Sequence, residues 1–412
     1  MTEPTIAEVT AQLTAPGQPF EMETIEIDGI PTRAWKNAPP NLPAILAASR
    51  AHGDRDFLVY EDERFTFERH FAMAAQLAHV LIDDLGVAKG DRVAIAMRNL
   101  PEWSIAFWAV AAAGAVVVPL NAWWTGPELA YGLRDSGSVL AFCDPDRLDR
   151  IAPERAELQA LRTIVAVRGE VGGSADAVAF ADLVGDPPAD VDLPAISLAP
   201  EDDATIFYTS GTTGDPKGVL GSHRNICTNL ISLGFGTVRG AIRSGKQAAG
   251  SSGPNVYLLS VPFFHATGCH SILVANLAAG NTIVLMHKWD ATRALELIER
   301  ERVATFGGVP SMVWQVIEHP DFQRFDISSL KSVGYGGAPA APELVRKIAE
   351  LFPGRMPSNG YGLTETSSVT TLNAGVDYQQ HPDSVGVPVP VCDVQVVDDA
   401  DRVLPTGEVG EL

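Results

Sequence analysis

Cysteine is scarce in this sequence: four residues among 412, Cys143, Cys227, Cys269 and Cys392, none in a Cys-x-x-Cys pair. That spacing excludes a disulfide framework and a zinc ligand set, and it fits a reducing, cytoplasmic setting. Basic residues are also in deficit. Lys and Arg number 30 against 51 Asp and Glu, giving a net charge of −21. No basic stripe reverses that field, so nucleic acid is not expected as a partner. Long apolar runs are missing too. The most apolar stretch, residues 105–120, is shorter than the ~20 residues that span a bilayer. Gly114 and Pro119 divide it into a buried helix and a buried strand, so no transmembrane segment is expected. Residues 1–20 are polar and acidic without an apolar h-region, which does not fit a secretory signal.

What is present is a globular composition, 46% hydrophobic and 20% charged, in a chain longer than the ~100–200 residues of one domain. From about residue 43, helical patterns (67–85, 101–113, 127–135) alternate with apolar runs (91–97, 116–118, 139–142). This rhythm predicts an α/β fold with doubly wound parallel sheets covered by helices on both faces. A Gly-, Asp- and Pro-rich stretch, 169–200, reads as a loop, after which the rhythm resumes at 204–208 and runs to Tyr361. Residues 239–254 read as a mobile surface loop. Short alternating strands at 394–397 and 409–412 predict a small β-barrel or distorted sheet, with the chain stopping inside the last strand. Three units are therefore expected: 1–200, an α/β subdomain with an N-terminal arm; 201–380, a second α/β subdomain; and 381–412, a truncated β-rich subdomain.

Chemistry concentrates in a few segments. Tyr208-Thr209-Ser210-Gly211-Thr212-Thr213-Gly214-Asp215-Pro216-Lys217-Gly218 follows an apolar strand and offers hydroxyls, glycine amides and one cation. Glycine lets N–H groups converge on anionic oxygens without Cβ obstruction. It is not a Walker A loop, because Lys217 lies between Pro216 and Gly218; an exposed turn is the competing reading. In Asn359-Gly360-Tyr361-Gly362-Leu363-Thr364-Glu365-Thr366, a tyrosine between glycines can present its ring face to a planar base. Glu365 is a hard oxygen ligand suited to Mg²⁺ on phosphates, and a capped helix start is the alternative. Gly334-Tyr335-Gly336-Gly337-Ala338-Pro339 fails the dinucleotide spacing. His265 follows two aromatics, and neither it nor His223 or His270 makes metal-ligand spacing with a Cys or carboxylate.

Together and in this order, these segments resemble the adenylate-forming superfamily of acyl-CoA synthetases, luciferases and peptide-synthetase adenylation domains. The resemblance runs from about residue 43 to the end and includes Val309-Pro310-Ser311 and Gly407-Glu408-Val409-Gly410-Glu411-Leu412. It implies that Thr209, Ser210, Gly211, Thr212, Thr213, Gly214 and Lys217 hold the β- and γ-phosphates of ATP. Gly337, Ala338, Pro339 and Tyr361 would frame the adenine, with Asn359, Gly360 and Gly362 beside it. Thr364 would touch the α-phosphate; Thr209 and Glu365 would bind Mg²⁺. Thr364, Glu365 and Lys217 would carry the catalytic burden. His265 would stand at the mouth of an acyl pocket given room by Gly268, Gly334 and Gly336. The implied reaction joins a carboxylic acid to ATP as acyl-AMP and then to coenzyme A. A medium- or long-chain fatty acid is the expected substrate. An aromatic acid, or a carrier protein as acceptor, is the alternative. Where α-amino acid adenylation domains carry an Asp, this chain has His265, which speaks against an α-ammonium substrate. The family's ribose-binding Asp, hinge and adenylation Lys lie beyond Leu412. The small C-terminal domain is thus expected to be absent, and adenylation by these residues alone to be weak. A homodimer stays open.

Overall fold

The computed structural model describes residues 4–169, 177–188, 190–209, 214–245, 254–338, 341–352 and 356–412. Two large sheets organise them. The first runs, in spatial order, Lys217–Ser222, Asp203–Thr209, Val116–Pro119, Arg92–Ala96, Leu140–Cys143, Thr163–Ala166, Ala177–Ala179, and is parallel except for the hairpin at its edge. The second runs Val387–Pro388, Thr371–Ala374, Met356–Tyr361, Ser332–Gly336, Thr305–Gly308, Val256–Leu259, Thr282–Leu285, Asp56–Tyr60, Glu63–Thr66, with antiparallel strands only at its two edges. The predicted α/β class with parallel sheets is what forms. Sheet membership, however, crosses residue 200: Asp56–Thr66 joins the second sheet and Asp203–Ser222 the first.

Strand periodicity explains how the sheets pack. Val93 and Ile95 of Arg92–Ala96 enter the core shared by the two sheets, while Ala94 and Ala96 face a separate cluster under helix Gly126–Ser136. In the second sheet Leu58 and Leu259 enter the shared core, and Val59 and Leu258 the opposite one. Apart from Glu102 in its first turn, which pairs with Arg168, helix Pro101–Ala112 is buried on every side, and its composition is correspondingly apolar. Trp103, Phe107 and Trp108 are fully buried, and the helix touches strands of both sheets. Among the described residues no helix is long and apolar enough to cross a membrane.

Helix ends follow local chemistry. Gly126–Ser136 begins with a Thr125/Glu128 capping box and ends at Gly137 with φ 63°, a left-handed cap that glycine adopts freely. Pro145–Ile151 is capped by Asp144, whose carboxylate also pairs with the buried Arg147 guanidinium (Nε to Oδ1, 2.6 Å). Arg147 further donates to the Ala122 carbonyl at 3.2 Å. Removing one partner of a buried pair strands the other charge. Asp144→Ala should therefore destabilise by about 3–5 kcal/mol. Urea denaturation checks this, and a loss below about 1 kcal/mol would contradict it.

Three expectations need correction. The stretch 169–200 is not loop throughout: Ala177–Ala179 adds an edge strand and Phe180–Val184 a helix, because Phe180 and Val184 bury against the shared core. The expected loop at 239–254 begins as helix, since His223–Arg243 continues through Gly240. Arg239 is buried, donating to Leu372 O at 2.9 Å, and Arg243 pairs with Asp377 at 2.5 Å. Residues 246–253 lie outside the described residues. Finally, no closed barrel forms among the described residues after 381. The expected strands at 394–397 and 409–412 reduce to bridges from Val397 to Val403 and Glu411. Val409 is 98% exposed there, so nothing apolar is buried to extend the ladder.

Candidate active site

The edge hairpin of the first sheet pairs Thr209 directly with Lys217. The Thr209 hydroxyl points across it, donating to the Lys217 carbonyl at 3.5 Å. Ser210, Gly211, Thr212 and Thr213 lie outside the described residues; Gly214 follows at φ 114°. Two tyrosines fasten the hairpin to helix Gly126–Ser136: Tyr131 Oη donates to Pro216 O at 3.0 Å and Tyr208 Oη to Asp135 Oδ2 at 2.7 Å. Burial and the Asp135 carboxylate push the Tyr208 phenol well up, so it stays a donor. Lys217 is exposed.

The second sheet supplies the facing wall. Strands Ser332–Gly336 and Met356–Tyr361 run parallel with Gly336 opposite Gly360, so Gly337 and Tyr361 emerge side by side. Gly337 has φ 74° and it and Ala338 are exposed, while Pro339 lies outside the described residues. The Asn359 side chain is buried beside Tyr378, whose hydroxyl meets that of Tyr335 at 2.8 Å. It therefore anchors the strand, and what position 359 offers a ligand is backbone. After Gly362 comes the short turn Thr364–Thr366, closed by Leu363 N–H on Thr366 Oγ1 at 3.0 Å. This turn packs on strand Lys217–Ser222. The strand that begins at Lys217 and the turn that carries Thr364 and the exposed Glu365 thus meet between the two sheets.

Three residues that the sequence did not single out as functional hold the segment just after Glu365. Asn229 Oδ1 accepts from Val369 N–H at 3.0 Å, Ser271 Oγ donates to Ser368 Oγ at 2.7 Å, and His270 Nδ1 meets Ser367 O at 3.3 Å. Burial lowers the His270 pKa to about 4, so the ring is neutral. Nothing in their sequence neighbourhood signals this, because the partners lie about a hundred residues away or more.

The residues read as acyl-pocket space divide. Gly334 and Gly336 lie on the sheet face opposite the buried Val333 and Tyr335. A Cβ there would meet only the adjoining strand, Ser358 Oγ at 2.9 Å and Gly360 O at 2.9 Å. Gly268 faces backbone: its Cβ would sit 2.0 Å from Pro262 O, so its smallness serves a close chain approach. His265 is exposed on one side and crowded by Phe264 and Trp123, ring centroids 4.9 and 6.0 Å away. That crowding depresses its pKa. Beside it opens a small cleft lined by Arg98, Trp123, Phe264, His287, Lys288 and Trp289 among others. Arg98 lies 5.7 Å over the Trp123 ring, making this a cationic and aromatic hollow in an acidic protein.

A family model described as AMP-binding enzyme matches residues 46–412. The chain belongs to the AMP-binding enzyme family. Relatives include a long-chain-fatty-acid–CoA ligase of Mycobacterium tuberculosis, 31% identical over 355 residues, 85% of this chain and 65% of the relative. A feruloyl-CoA synthase of an Amycolatopsis species is 31% identical over 327 residues, 79% of this chain and 60% of the relative. Among solved structures, the inhibitor-bound N-terminal domain of FACL13 from Mycobacterium tuberculosis is similar with a TM-score of 0.75 at 28% identity. That match covers 89% of this chain and 86% of that one. The chain spans about three fifths of the length of the curated relatives it matches.

In this member of the AMP-binding enzyme family the types of donor present would suit a metal carried on phosphates. Among the described residues no three His, Cys, Asp or Glu cluster into a metal cage. Mg²⁺ does not need one, since it keeps waters and takes one or two protein oxygens plus the triphosphate. One carboxylate, Glu365, and one hydroxyl, Thr209, match that demand.

Proposed function

We propose that this chain binds ATP and a carboxylic acid, forms acyl-AMP, and hands the acyl group to coenzyme A. The observation that supports the reading is the packing of the turn Thr364–Thr366, which follows Tyr361, on the hairpin strand Lys217–Ser222 at the facing edges of two sheets. In the reaction a carboxylate oxygen attacks the α-phosphorus, the bond to the bridging oxygen of the β-phosphate breaks, and pyrophosphate leaves. The thiol sulfur of coenzyme A then attacks the acyl carbonyl and AMP departs. No residue needs to act as nucleophile, so the site works by position and charge. Thr209, Gly214 and Lys217, with Ser210, Gly211, Thr212 and Thr213, cradle the outer phosphates. Thr364 donates to the α-phosphate. The adenine lies on Tyr361 between Gly360 and Gly362, bordered by Gly337, Ala338 and Pro339, with Asn359 bracing the strand. Thr209 and Glu365 would hold Mg²⁺, which neutralises charge building on the departing pyrophosphate. The cleft beside His265, lined by Arg98, His287 and Lys288, suits the approach of an anionic thiol.

A fatty acid of medium or long chain is the substrate we favour, because Gly334 and Gly336 leave their face of the sheet without side chains. The feruloyl-CoA synthase among the relatives makes an aromatic acid the second reading. Thermal stabilisation by non-hydrolysable acyl-AMP mimics, from acetyl to palmitoyl and including benzoyl and cinnamoyl, separates them. A ligand that binds only the native state at ~100-fold saturation adds about 2.7 kcal/mol. Stabilisation should rise with aliphatic length in the wild type, and Gly336→Val should cut the long-chain mimics at least tenfold more than acetyl. A maximum at cinnamoyl names the aromatic class, and no stabilisation by any mimic overturns the proposal.

A further inference from the structure

The segment after Glu365 carries backbone that serine disfavours. Ser367 has φ 55° and Ser368 φ 106°, two consecutive non-glycine residues in the left-handed region. Such geometry persists only where surrounding contacts over-determine it, and it gathers at functional sites. Here the contacts come from two helices. Asn229 of His223–Arg243 accepts from Val369 N–H; His270 and Ser271, in the π-helix Thr267–Val274, take Ser367 O and Ser368 Oγ. Segments of π-helix are themselves frequent at functional sites, because they re-aim neighbouring side chains. The arrangement leaves polar atoms stranded. Asn229 and His270 are 3% and 2% exposed, and Asn229 Nδ2 and His270 Nε2 have no hydrogen-bond partner among the described residues. Apolar residues would pack there without that penalty, so packing alone does not account for the choice.

The turn is coupled to the proposed nucleotide contacts. Ser367 N–H donates to Thr364 O at 3.0 Å, Ser368 N–H to Leu363 O at 3.0 Å, and the Ser368 carbonyl presses on Gly362. Moving Ser368 therefore moves the residues that flank Thr364 and Glu365. We infer that Asn229, His270 and Ser271 are positioning residues that hold the strained Ser367–Ser368 turn and so set Thr364 and Glu365 for a magnesium-bound triphosphate. The inference rests on the nucleotide role proposed above.

Calorimetric titration of ATP in Mg²⁺ and in EDTA tests it on the chain as it stands. Ser271→Ala and Asn229→Leu should each lose about tenfold in affinity for MgATP, the effect of about one hydrogen bond. Their affinity for metal-free ATP should fall by clearly less, because Thr364 serves both forms of the nucleotide and Glu365 only the metal-bound one, and Ser271→Thr, which keeps the hydroxyl, should restore the wild-type ratio. Ser368→Gly should raise the melting temperature by relaxing the backbone and still lose MgATP affinity. It keeps the test open if Asn229→Leu fails to fold. Equal weakening in Mg²⁺ and EDTA, or a lower melting temperature with unchanged binding, marks a purely structural brace and overturns the inference. A wild-type chain that fails to bind MgATP overturns the nucleotide reading and this one together.

Discussion

Gly362→Ala should abolish nucleotide binding and lower the melting temperature by several degrees. A Cβ at this position would lie 1.3 Å from the Ser368 carbonyl oxygen, 2.4 Å from its carbon and 3.1 Å from Thr370 N. All three are backbone atoms, so no side-chain rotation relieves the clash. The Ser368 backbone is itself fixed by Leu363, and its side chain by Ser271. Either the strand end at Tyr361 or the turn must move by more than an ångström. Overpacking of this kind costs ~3 kcal/mol or more when the surroundings cannot yield. Gly337→Ala is the control from the same wall. Its φ of 74° strains an alanine, but nothing lies within 4 Å, so it should cost only about 1 kcal/mol. Scanning calorimetry with titration of an acyl-AMP mimic compares the two. Wild-type affinity in Gly362→Ala would show that the turn does not shape the site.

The second large effect is acid sensitivity from three buried histidines. Burial lowers His70 to about 3 and His223 and His270 to about 4. Geometry agrees for His223, whose Nδ1 accepts the Leu42 N–H at 3.3 Å and so must be unprotonated. The folded state holds each ring neutral, whereas the unfolded chain takes up protons near pH 6.5. Stability should therefore be full above about pH 6.5, fall as pH drops below it, and level off near pH 3–4, where the folded rings also protonate. At pH 5 each histidine contributes a loss of about 2 kcal/mol. Glu102, whose pKa burial raises, works in the opposite direction and offsets a part. Urea midpoints at pH 7.5 and pH 5.0 measure the fall, and His70→Gln, keeping a polar contact near Ser104, should make it shallower. A flat profile across this window contradicts the burial of these rings.

How far the fold could be read from sequence depended on the range of the interactions. Arg92–Ala96, Val116–Pro119 and Leu140–Cys143 were legible because their apolar runs are local and end at turn residues. The segments Tyr208–Gly218 and Tyr361–Glu365 were legible as unusual local compositions. The loop expected at 239–254 overlaps the end of helix His223–Arg243 because the Gly- and Ser-rich composition there looks like a turn. Gly236 is small for a tertiary reason: a Cβ there would meet Leu372 Cδ1 at 2.2 Å. That Asp56–Tyr60 pairs beside Thr282–Leu285 has no local sign, and the same holds for Asn229, His270 and Ser271. Their partners are fixed only once two sheets and two helices have met. Residues after 381 misled in the other direction, since alternating apolar residues there find no face on which to bury.

The edge hairpin of one sheet and the strand ends of the other are proposed to form a single acyl-adenylate site. A crystal structure of the chain with an acyl-sulfamoyl-adenosine and Mg²⁺ tests it most directly. Adenine should lie on the Tyr361 ring beside Gly337, with the sulfamoyl group within hydrogen-bond reach of Thr364 and the acyl chain running along Gly334 and Gly336. Adenine bound elsewhere, for instance between Trp123 and Trp289 in the cationic cleft, would contradict it.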